Sequence, residues 1–492
     1  MLRSSKFASM GTDRTPLKLP PDFLWGFATA AYQIEGGAHQ DGRADSIWDV
    51  FCRQPGKIRG RHDGEVACDS YNRYKDDVAL LKSLGAQCYR FSASWSRVIP
   101  LGGRNDPVNP KGLQYYVDLV DELRANDIEP IVTLYHWDLP ADLDQRYGGL
   151  LNKEEVGLDF ERYARVMFEA LCGKVDKWVT LNEPWCSSIL GYSLGVAAPG
   201  RMSNRDKSKV GDSSTEPWIV GHSLLLAHAR AVKTFRKDFQ PKHGGQIGIV
   251  LSGDWCYPWD PNDPQDVAGA QRELEFVIGW FADAVYFGMY PESMRKQLGE
   301  RLPRFTDQES ALLKGSSDFY GMNHYCSHFV KHRSSRSDAA DYVGNIESVF
   351  TNVSGEAVGP ETESEWLHPN PKGFRHLLGW ISRRYGRPII YVTENGTSVK
   401  GENELPLKEM LVDDFRVCYF RDYIRAMAEA YTHDGVDVRG YMAWSLLDNF
   451  EWADGYSCRF GVTYVDYEGG QKRISKKSAK ELATMFEEYL AK

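Results

Sequence analysis

The chain has 492 residues, of which 42% are hydrophobic and 13% aromatic, so it is long enough to bury a large core. This length leaves open one large α/β barrel or two or three smaller domains. The net charge of −9 is spread along the chain without long blocks of one sign, which argues against a nucleic-acid surface because phosphate binding needs clustered Lys and Arg. We therefore expect a small neutral molecule as the partner, and no nucleic acid.

The cysteines and the N-terminus bear on where the protein works. The nine cysteines are scattered from Cys52 to Cys458 without a Cys-x-x-Cys pair, which disfavours a disulfide framework and a zinc site. The N-terminus lacks the continuous apolar stretch of a secretory signal, and no later apolar run approaches the length of a membrane span. We expect a reduced, cytoplasmic protein, a monomer or weak homo-oligomer, with a flexible extension over residues 1–20 and an unused glycosylation sequence at Asn352.

Strand-like and helix-like segments alternate along the chain. Strand candidates rich in β-branched and aromatic residues begin at residues 23, 87, 129, 177, 246, 318, 389 and 439. Helical spacing of apolar residues follows each of them, at 71–84, 111–126, 160–171, 218–239, 268–287, 371–385, 415–431 and 476–490.

Strict alternation of this kind implies a parallel sheet, and eight repeats indicate that the sheet closes. The sequence therefore predicts a single α/β domain over residues 21–492, a (β/α)8 TIM barrel with extended loops at its C-terminal face. The polar segments 202–215 and 334–359 are predicted to be two of those loops.

In such a barrel, side chains at the C-terminal ends of the strands line one mouth. Two predicted strands end in a carboxylate beside an amide, at Asn182-Glu183 and at Glu394-Asn395. Other strand ends and the loop after the last strand bring further polar and aromatic groups to the same mouth: Gln33, Arg90, His136, Asn323, Tyr325, Trp444, Asn449, Glu451 and Trp452. Amides, carboxylates and indole faces without a metal-ligand cluster suit a sugar, which has hydroxyl edges and C–H faces.

Two carboxylates beside a sugar predict glycoside hydrolysis. In a retaining enzyme one carboxylate attacks the anomeric carbon and the other transfers the proton, with about 5–5.5 Å between them, whereas an inverting enzyme needs a wider gap. The two roles need opposite pKa shifts, and a nearby Arg90 would favour the ionised form of the nucleophile. From these residues alone, either Glu183 or Glu394 could have either role.

Five segments, taken in order, resemble the successive signatures of family 1 glycoside hydrolases. They are FLWGFATAAYQIEG (23–36), YRFSASWSR (89–97), LYHWDLP (134–140), TLNEP (180–184) and TENG (393–396). The resemblance runs from about Pro20 to the C-terminus, and in detail it is greatest to filamentous fungal β-glucosidases of this family that have no secretion signal. Each motif is modest alone, but the ordered set is very specific.

The resemblance implies a retaining β-glucosidase without a cofactor, acting on terminal non-reducing β-D-glucosyl residues in cellobiose, short cello-oligosaccharides and aryl glucosides, with transglycosylation open to it. It makes Glu394 the nucleophile and Glu183 the acid/base. Asn182 would bind the 2-hydroxyl, while Arg90 and Tyr325 would hold the nucleophile.

The resemblance also implies roles for the remaining predicted site residues. Those that would bind the 3-, 4- and 6-hydroxyls are Gln33, His136, Glu451 and Trp452. Trp444 would form the floor under the ring, and Trp366 would be the aromatic residue on the leaving-group side. Trp185 and Leu190 would narrow that entrance, and we hypothesise that they limit rebinding of product glucose.

Two positions separate this chain from other branches of the family. Plant thioglucosidases replace the acid/base Glu with Gln, whereas this chain has Glu183. Phospho-β-glycosidases have Ser, Lys and Tyr after the last strand to bind a 6-phosphate, where this chain has FEWADGY (450–456). The alternatives that remain are a β-galactosidase or β-fucosidase of the same family, and a non-catalytic sugar-binding relative.

Overall fold

The computed structural model describes residues 16–490. Most of the extension predicted for residues 1–20, and the last two residues of the predicted barrel domain, lie outside the described residues. Within the described part, Leu19 is buried, and its amide donates a hydrogen bond of 2.8 Å to the carbonyl of Tyr489. The described chain therefore begins and ends side by side.

The described residues form thirteen β-strands, which are β1 Leu24–Ala28, β2 Cys88–Ser92, β3 Glu129–Tyr135, β4 Lys177–Asn182, β5 Gln246–Ser252, β6 Trp255–Pro258, β7 Tyr320–Asn323, β8 Ser327–His332, β9 Ile346–Val349, β10 Ile390–Asn395, β11 Val438–Trp444, β12 Thr463–Asp466 and β13 Lys472–Ser475. Their α-helices are α1 Ala31–Ile34, α2 Ile47–Cys52, α3 Ser70–Ser83, α4 Trp95–Val98, α5 Pro110–Ala125, α6 Ala141–Tyr147, α7 Lys153–Leu171, α8 Pro184–Tyr192, α9 Glu216–Thr234, α10 Gln240–His243, α11 Pro264–Leu274, α12 Trp280–Phe287, α13 Glu292–Leu298, α14 Asp307–Leu313, α15 Pro371–Arg384, α16 Leu407–Met410, α17 Asp414–Asp434 and α18 Lys477–Glu487.

Eight strands close into one parallel barrel, in the order β1-β11-β10-β7-β5-β4-β3-β2. They are the eight predicted strands, and the predicted helices correspond to α3, α5, α7, α9, α11 with α12, α15, α17 and α18. Capping residues mark several helix starts: Asn152 accepts a hydrogen bond of 3.2 Å from the amide of Glu155 at the start of α7, and Asp263 accepts one of 2.8 Å from Gln265 at the start of α11. The predicted (β/α)8 barrel is confirmed.

Apolar residues pack on both faces of the barrel strands, as expected for a parallel sheet covered by helices. The larger cluster fills the space between strands and helices and includes Val132, Leu134 and Phe168. A smaller cluster contains the neighbours that alternate to the barrel interior, such as Ile131 and Val179. This packing fixes the strand ends that form the mouth.

One predicted loop contains regular structure. Segment 334–359 includes β9, which pairs antiparallel with β8, and β8 pairs in parallel with β6 to make a small sheet outside the barrel. The prediction of a plain loop was wrong because a four-residue strand in a polar segment depends on pairing with a distant partner. Segment 202–215 contains no helix or strand and is a loop as predicted. Among residues 16–490, no helix is both long and apolar enough to cross a membrane.

Candidate active site

The two predicted catalytic carboxylates lie at the C-terminal ends of β4 and β10, where both are buried, with exposed fractions of 6% for Glu183 and 3% for Glu394. Glu183 has a left-handed backbone (φ +46°), which turns the chain from β4 directly into α8. Beyond Glu394, Gly396 packs so closely that a Cβ there would lie 1.8 Å from the carbonyl oxygen of Trp444. The turn after β10 therefore requires glycine.

Glu394 is held by one cation and one hydroxyl. Arg90 Nη1 donates to its Oε1 at 2.7 Å, and the Tyr325 hydroxyl donates to its Oε2 at 2.7 Å. Arg90 is itself buried and donates through Nη2 to Asn182 Oδ1 at 2.6 Å and through Nε to Thr133 Oγ1 at 3.1 Å. Burial raises the pKa of Glu394, while Arg90 and Tyr325 oppose that rise.

Glu183 has uncharged partners. The side-chain amide of Asn323 donates to its Oε1 at 2.7 Å, and the Cys186 thiol donates to its Oε2 at 3.3 Å. Burial, and next the nearby charge of Glu394, raise the pKa of Glu183 to about 8. Because the guanidinium of Arg90 contacts Glu394 and not Glu183, the buried pair carries its negative charge on Glu394 and its proton on Glu183.

Asn182 connects Arg90 to His136 and fixes the tautomer of the histidine. Since Arg90 has only donors, the atom that it contacts is Asn182 Oδ1, and the remaining Nδ2 faces His136 Nε2 at 3.0 Å. His136 Nε2 is then the acceptor, and its proton is on Nδ1, which is buried without a partner among the described residues. Burial and the charge of Arg90 lower the pKa of His136 well below its ordinary value, so the ring is neutral. His136 thus offers one unused N–H donor.

Gln33 offers the matching acceptor. Its Nε2 donates to the carbonyl of Phe450 at 2.9 Å and to Asn449 Oδ1 at 3.0 Å, which leaves Oε1 buried and without a partner in the described chain. Glu451 lies beside it, and burial followed by the charge of Asp454 raises its pKa well above the ordinary range.

Aromatic rings surround these polar groups. The imidazole of His136 stacks at 6.1 Å from Trp444 and at 5.9 Å from Trp452. Trp137, which was not among the predicted site residues, packs 4.4 Å from Trp452 and donates from Nε1 to the carbonyl of Asn182 at 3.0 Å. The one sequence signal for Trp137 was its position next to His136 in the LYHWDLP motif.

The residues predicted at the entrance are less closely joined to the carboxylates. Trp366 is 47% exposed, and its ring meets that of Tyr325 edge-on at 5.7 Å. Trp185, near the start of α8, packs at 6.1 Å from Tyr342. The described contacts of Leu190, near the end of α8, are with the larger apolar cluster.

The fold and site together define a class of protein. A (β/α)8 barrel with one ionised and one protonated carboxyl group, among unused donors, unused acceptors and indole rings at the strand ends, has the parts of a glycoside hydrolase.

Comparison with known proteins identifies the family. The family profile "Glycosyl hydrolase family 1" matches residues 15–489. Beta-glucosidase 1B of Phanerodontia chrysosporium is 55% identical over 476 residues, which are 97% of this chain and 87% of that protein. The chain belongs to glycosyl hydrolase family 1.

Solved structures of fungal enzymes share this fold. A GH1 beta-glucosidase from Humicola insolens, solved in complex with glucose, has 62% sequence identity and a TM-score of 0.95 over 96% of this chain and 99% of that one. Beta-glucosidase 2 from Trichoderma reesei, in complex with Tris, also has 62% identity, with a TM-score of 0.93 over 96% of this chain and 100% of that one.

Proposed function

We propose that this family 1 enzyme is a retaining β-glucosidase that hydrolyses terminal non-reducing β-D-glucosyl residues of cellobiose, short cello-oligosaccharides and aryl β-glucosides. One observation carries the mechanism: of two buried carboxyl groups, only Glu394 contacts a guanidinium, while Glu183 contacts uncharged donors. The first chemical step uses both groups, because it needs an ionised carboxylate as the nucleophile and a protonated carboxyl group as the acid. The substrate class is supported by the related fungal enzymes, which are beta-glucosidases.

In the first step, Glu394 attacks the anomeric carbon while the bond from that carbon to the aglycone oxygen breaks. Glu183 gives its proton to the departing oxygen. With a pKa of about 8, Glu183 is mostly protonated at pH 7 and can act as the general acid. The product is a glucosyl ester of Glu394 with the α configuration.

In the second step, the acid becomes a base. Esterification removes the negative charge of Glu394, which is one of the causes that raise the pKa of Glu183, so that pKa falls. Glu183 then takes a proton from water, whose oxygen attacks the anomeric carbon and releases Glu394 as a carboxylate. Two inversions give net retention. A sugar hydroxyl in place of water gives transglycosylation by the same step.

The unused polar atoms of the site match the hydroxyls of a glucosyl ring. His136 Nδ1 donates, Gln33 Oε1 accepts, and both are buried without protein partners among residues 16–490. A bound sugar would satisfy both atoms, which otherwise cost about 1–3 kcal/mol each. The indole of Trp444 would then lie under the ring of the bound sugar. Glu451 and Asp454 present carboxyl groups where a 6-phosphate dianion would need Lys or Arg partners.

A substrate panel tests this function. We would measure kcat/KM on p-nitrophenyl β-glucoside, β-galactoside, β-fucoside, β-mannoside and 6-phospho-β-glucoside, with cellobiose alongside. The proposal requires cleavage of the glucoside and of cellobiose, with the phosphosugar untouched. A preference for the galactoside would support the β-galactosidase alternative. Cleavage of none of the glycosides would indicate a non-catalytic sugar-binding relative.

We further propose that the enzyme works in the cytoplasm as a monomer or weak homo-oligomer. All nine cysteines are free, including exposed Cys418, which suits a reducing compartment. Imaging of a tagged protein and light scattering of the purified enzyme test the two statements. A signal confined to the secretory pathway, or a stable oligomer at nanomolar concentration, would contradict them.

A further inference from the structure

A second cluster of reactive side chains lies outside the barrel, on the small sheet made by β6, β8 and β9. Cys256 of β6 and His328 of β8 are direct neighbours in the parallel register, and Glu273 reaches them from α11. Cys256 Sγ lies 3.6 Å from His328 Nε2, and Nε2 lies 2.9 Å from Glu273 Oε2. The three atoms lie within 4.8 Å of one another, and Cys256 and Glu273 are buried.

The cluster differs from a nucleophilic triad in one respect. In a Cys-His-Glu triad the thiol and the carboxylate contact opposite nitrogens of the imidazole. Here Cys256 and Glu273 both approach Nε2 of His328, so the ring cannot pass a proton from one to the other in line. Three possible ligand atoms around one point are instead the arrangement that binds a metal ion.

Two of the three separations between the ligand atoms fit zinc, and the third, from Cys256 Sγ to Glu273, is no more than 4.8 Å. Tetrahedral Zn²⁺ has Zn–S of about 2.3 Å, Zn–N of about 2.0–2.1 Å and Zn–O of about 2.0–2.2 Å. Such a site has an S···N edge of about 3.6 Å and an N···O edge of about 3.3 Å. The first is the separation of Cys256 from His328, and the second requires Glu273 to withdraw by only about 0.4 Å.

The charge and the surroundings also fit. On binding, the proton of the Cys256 thiol and the proton between His328 Nε2 and Glu273 Oε2 are both released to solvent, so that one thiolate, one carboxylate, a neutral imidazole and one divalent ion sum to zero in a buried place. The Ser348 hydroxyl donates to Glu273 Oε1 at 3.2 Å, and this contact orients the carboxylate so that Oε2 faces His328. The His328 side chain is 12% exposed, which leaves a path from solvent for the ion and for water as a fourth ligand. A thiolate with an imidazole selects zinc over magnesium or calcium.

We propose that Cys256, Glu273 and His328 form a structural binding site for a thiophilic divalent ion of the Zn²⁺ type. The ion would tie α11 to β6 and β8. The cysteine spacing disfavoured a zinc site, because these three ligands lie on separate elements and meet only in the folded chain.

Cobalt is the probe for this site, since Co²⁺ takes zinc positions and gives a thiolate charge-transfer band in the near ultraviolet. Titration of the full-length protein should give this band with one equivalent of Co²⁺, and Zn²⁺ should abolish it. Cys256→Ser should remove the band, whereas the matched control Cys418→Ser, which removes an exposed cysteine, should keep it. Glu273→Gln should weaken Co²⁺ binding by at least the 10- to 100-fold typical of losing a supporting contact.

Hydrolysis of p-nitrophenyl β-glucoside serves as the folding check for these variants, because none of the substituted residues touches the sugar site. A measurement on the wild type avoids variants altogether: crystals soaked in Zn²⁺ should show an anomalous peak between Cys256, Glu273 and His328. A band that survives Cys256→Ser, or soaked crystals without that peak, would show that the three side chains are only a hydrogen-bonded cluster and would refute the proposal.

Discussion

We expect the acidic limit of activity to depend on the hydroxyl of Tyr325, so Tyr325→Phe should move that limit. The change removes one hydrogen bond of 2.7 Å to Glu394 Oε2 and leaves the Arg90 contact in place. The ring should keep its position because the hydroxyls of Tyr419 and Tyr423 hold the carbonyl of Tyr325 at 3.3 and 3.2 Å. The variant therefore measures the effect of this one hydrogen-bond donor on Glu394.

The magnitude follows from the bond. A hydrogen bond to a charged group contributes about 1.5–3 kcal/mol, and one pKa unit corresponds to about 1.36 kcal/mol. The hydroxyl stabilises the ionised form and so lowers the pKa of Glu394; without it that pKa rises by about 1–2 units. The nucleophile is active only when ionised, so the acid limb of kcat/KM should move to higher pH by the same amount.

The assay is the pH profile of kcat/KM on an aryl β-glucoside. The basic limb, which reflects loss of the Glu183 proton near pH 8, should stay in place, so the active range narrows from the acid side. Tyr391→Phe is the matched control, since Tyr391 lies on β10, the strand of Glu394, but its hydroxyl approaches Gln246. An acid limb that stays in place in Tyr325→Phe, or that moves equally in both variants, would refute the assigned role.

Three other changes test the remaining parts of the site. Glu183→Ala should lower kcat on cellobiose by about 10²–10⁴-fold, and azide should restore activity on aryl glucosides whose leaving group needs no proton; absence of rescue would count against the acid/base role. Gln33→Leu removes the unused acceptor and should lower kcat/KM on glucosides about 10–100-fold, whereas a loss below twofold would mean that the sugar does not use Oε1. Trp185→Ala and Leu190→Ala should each strengthen inhibition by glucose severalfold. Unchanged inhibition constants would show that neither residue limits the rebinding of glucose.

The fold could be predicted from the sequence because each strand and each helix has its own local signal. Eight apolar runs alternate with eight amphipathic runs, and the carboxyl ends of parallel strands must meet. That rule was enough to place Asn182, Glu183, Asn323 and Glu394 at one mouth. β9 was missed because its four residues, Ile346–Val349, are too few to show a strand pattern within a polar segment.

The choice between the two carboxylates could not be made from local pattern. It depends on the contact of Arg90 with Glu394, and these residues are 304 positions apart. Family resemblance supplied the roles, and the contact supplies a physical reason for them. The cluster on the small sheet is a similar case, since Cys256 and His328 are 72 positions apart and meet only through strand pairing.

The most direct test of the proposed mechanism is to trap the glucosyl-enzyme. Incubation with 2,4-dinitrophenyl 2-deoxy-2-fluoro-β-glucoside should stop turnover, because the fluorine slows the second step more than the first, and peptide mass spectrometry should find the added sugar on Glu394. Glu394→Gln should remain unlabelled. A sugar attached to Glu183, or to no residue while the product forms with inverted configuration, would contradict double displacement at Glu394.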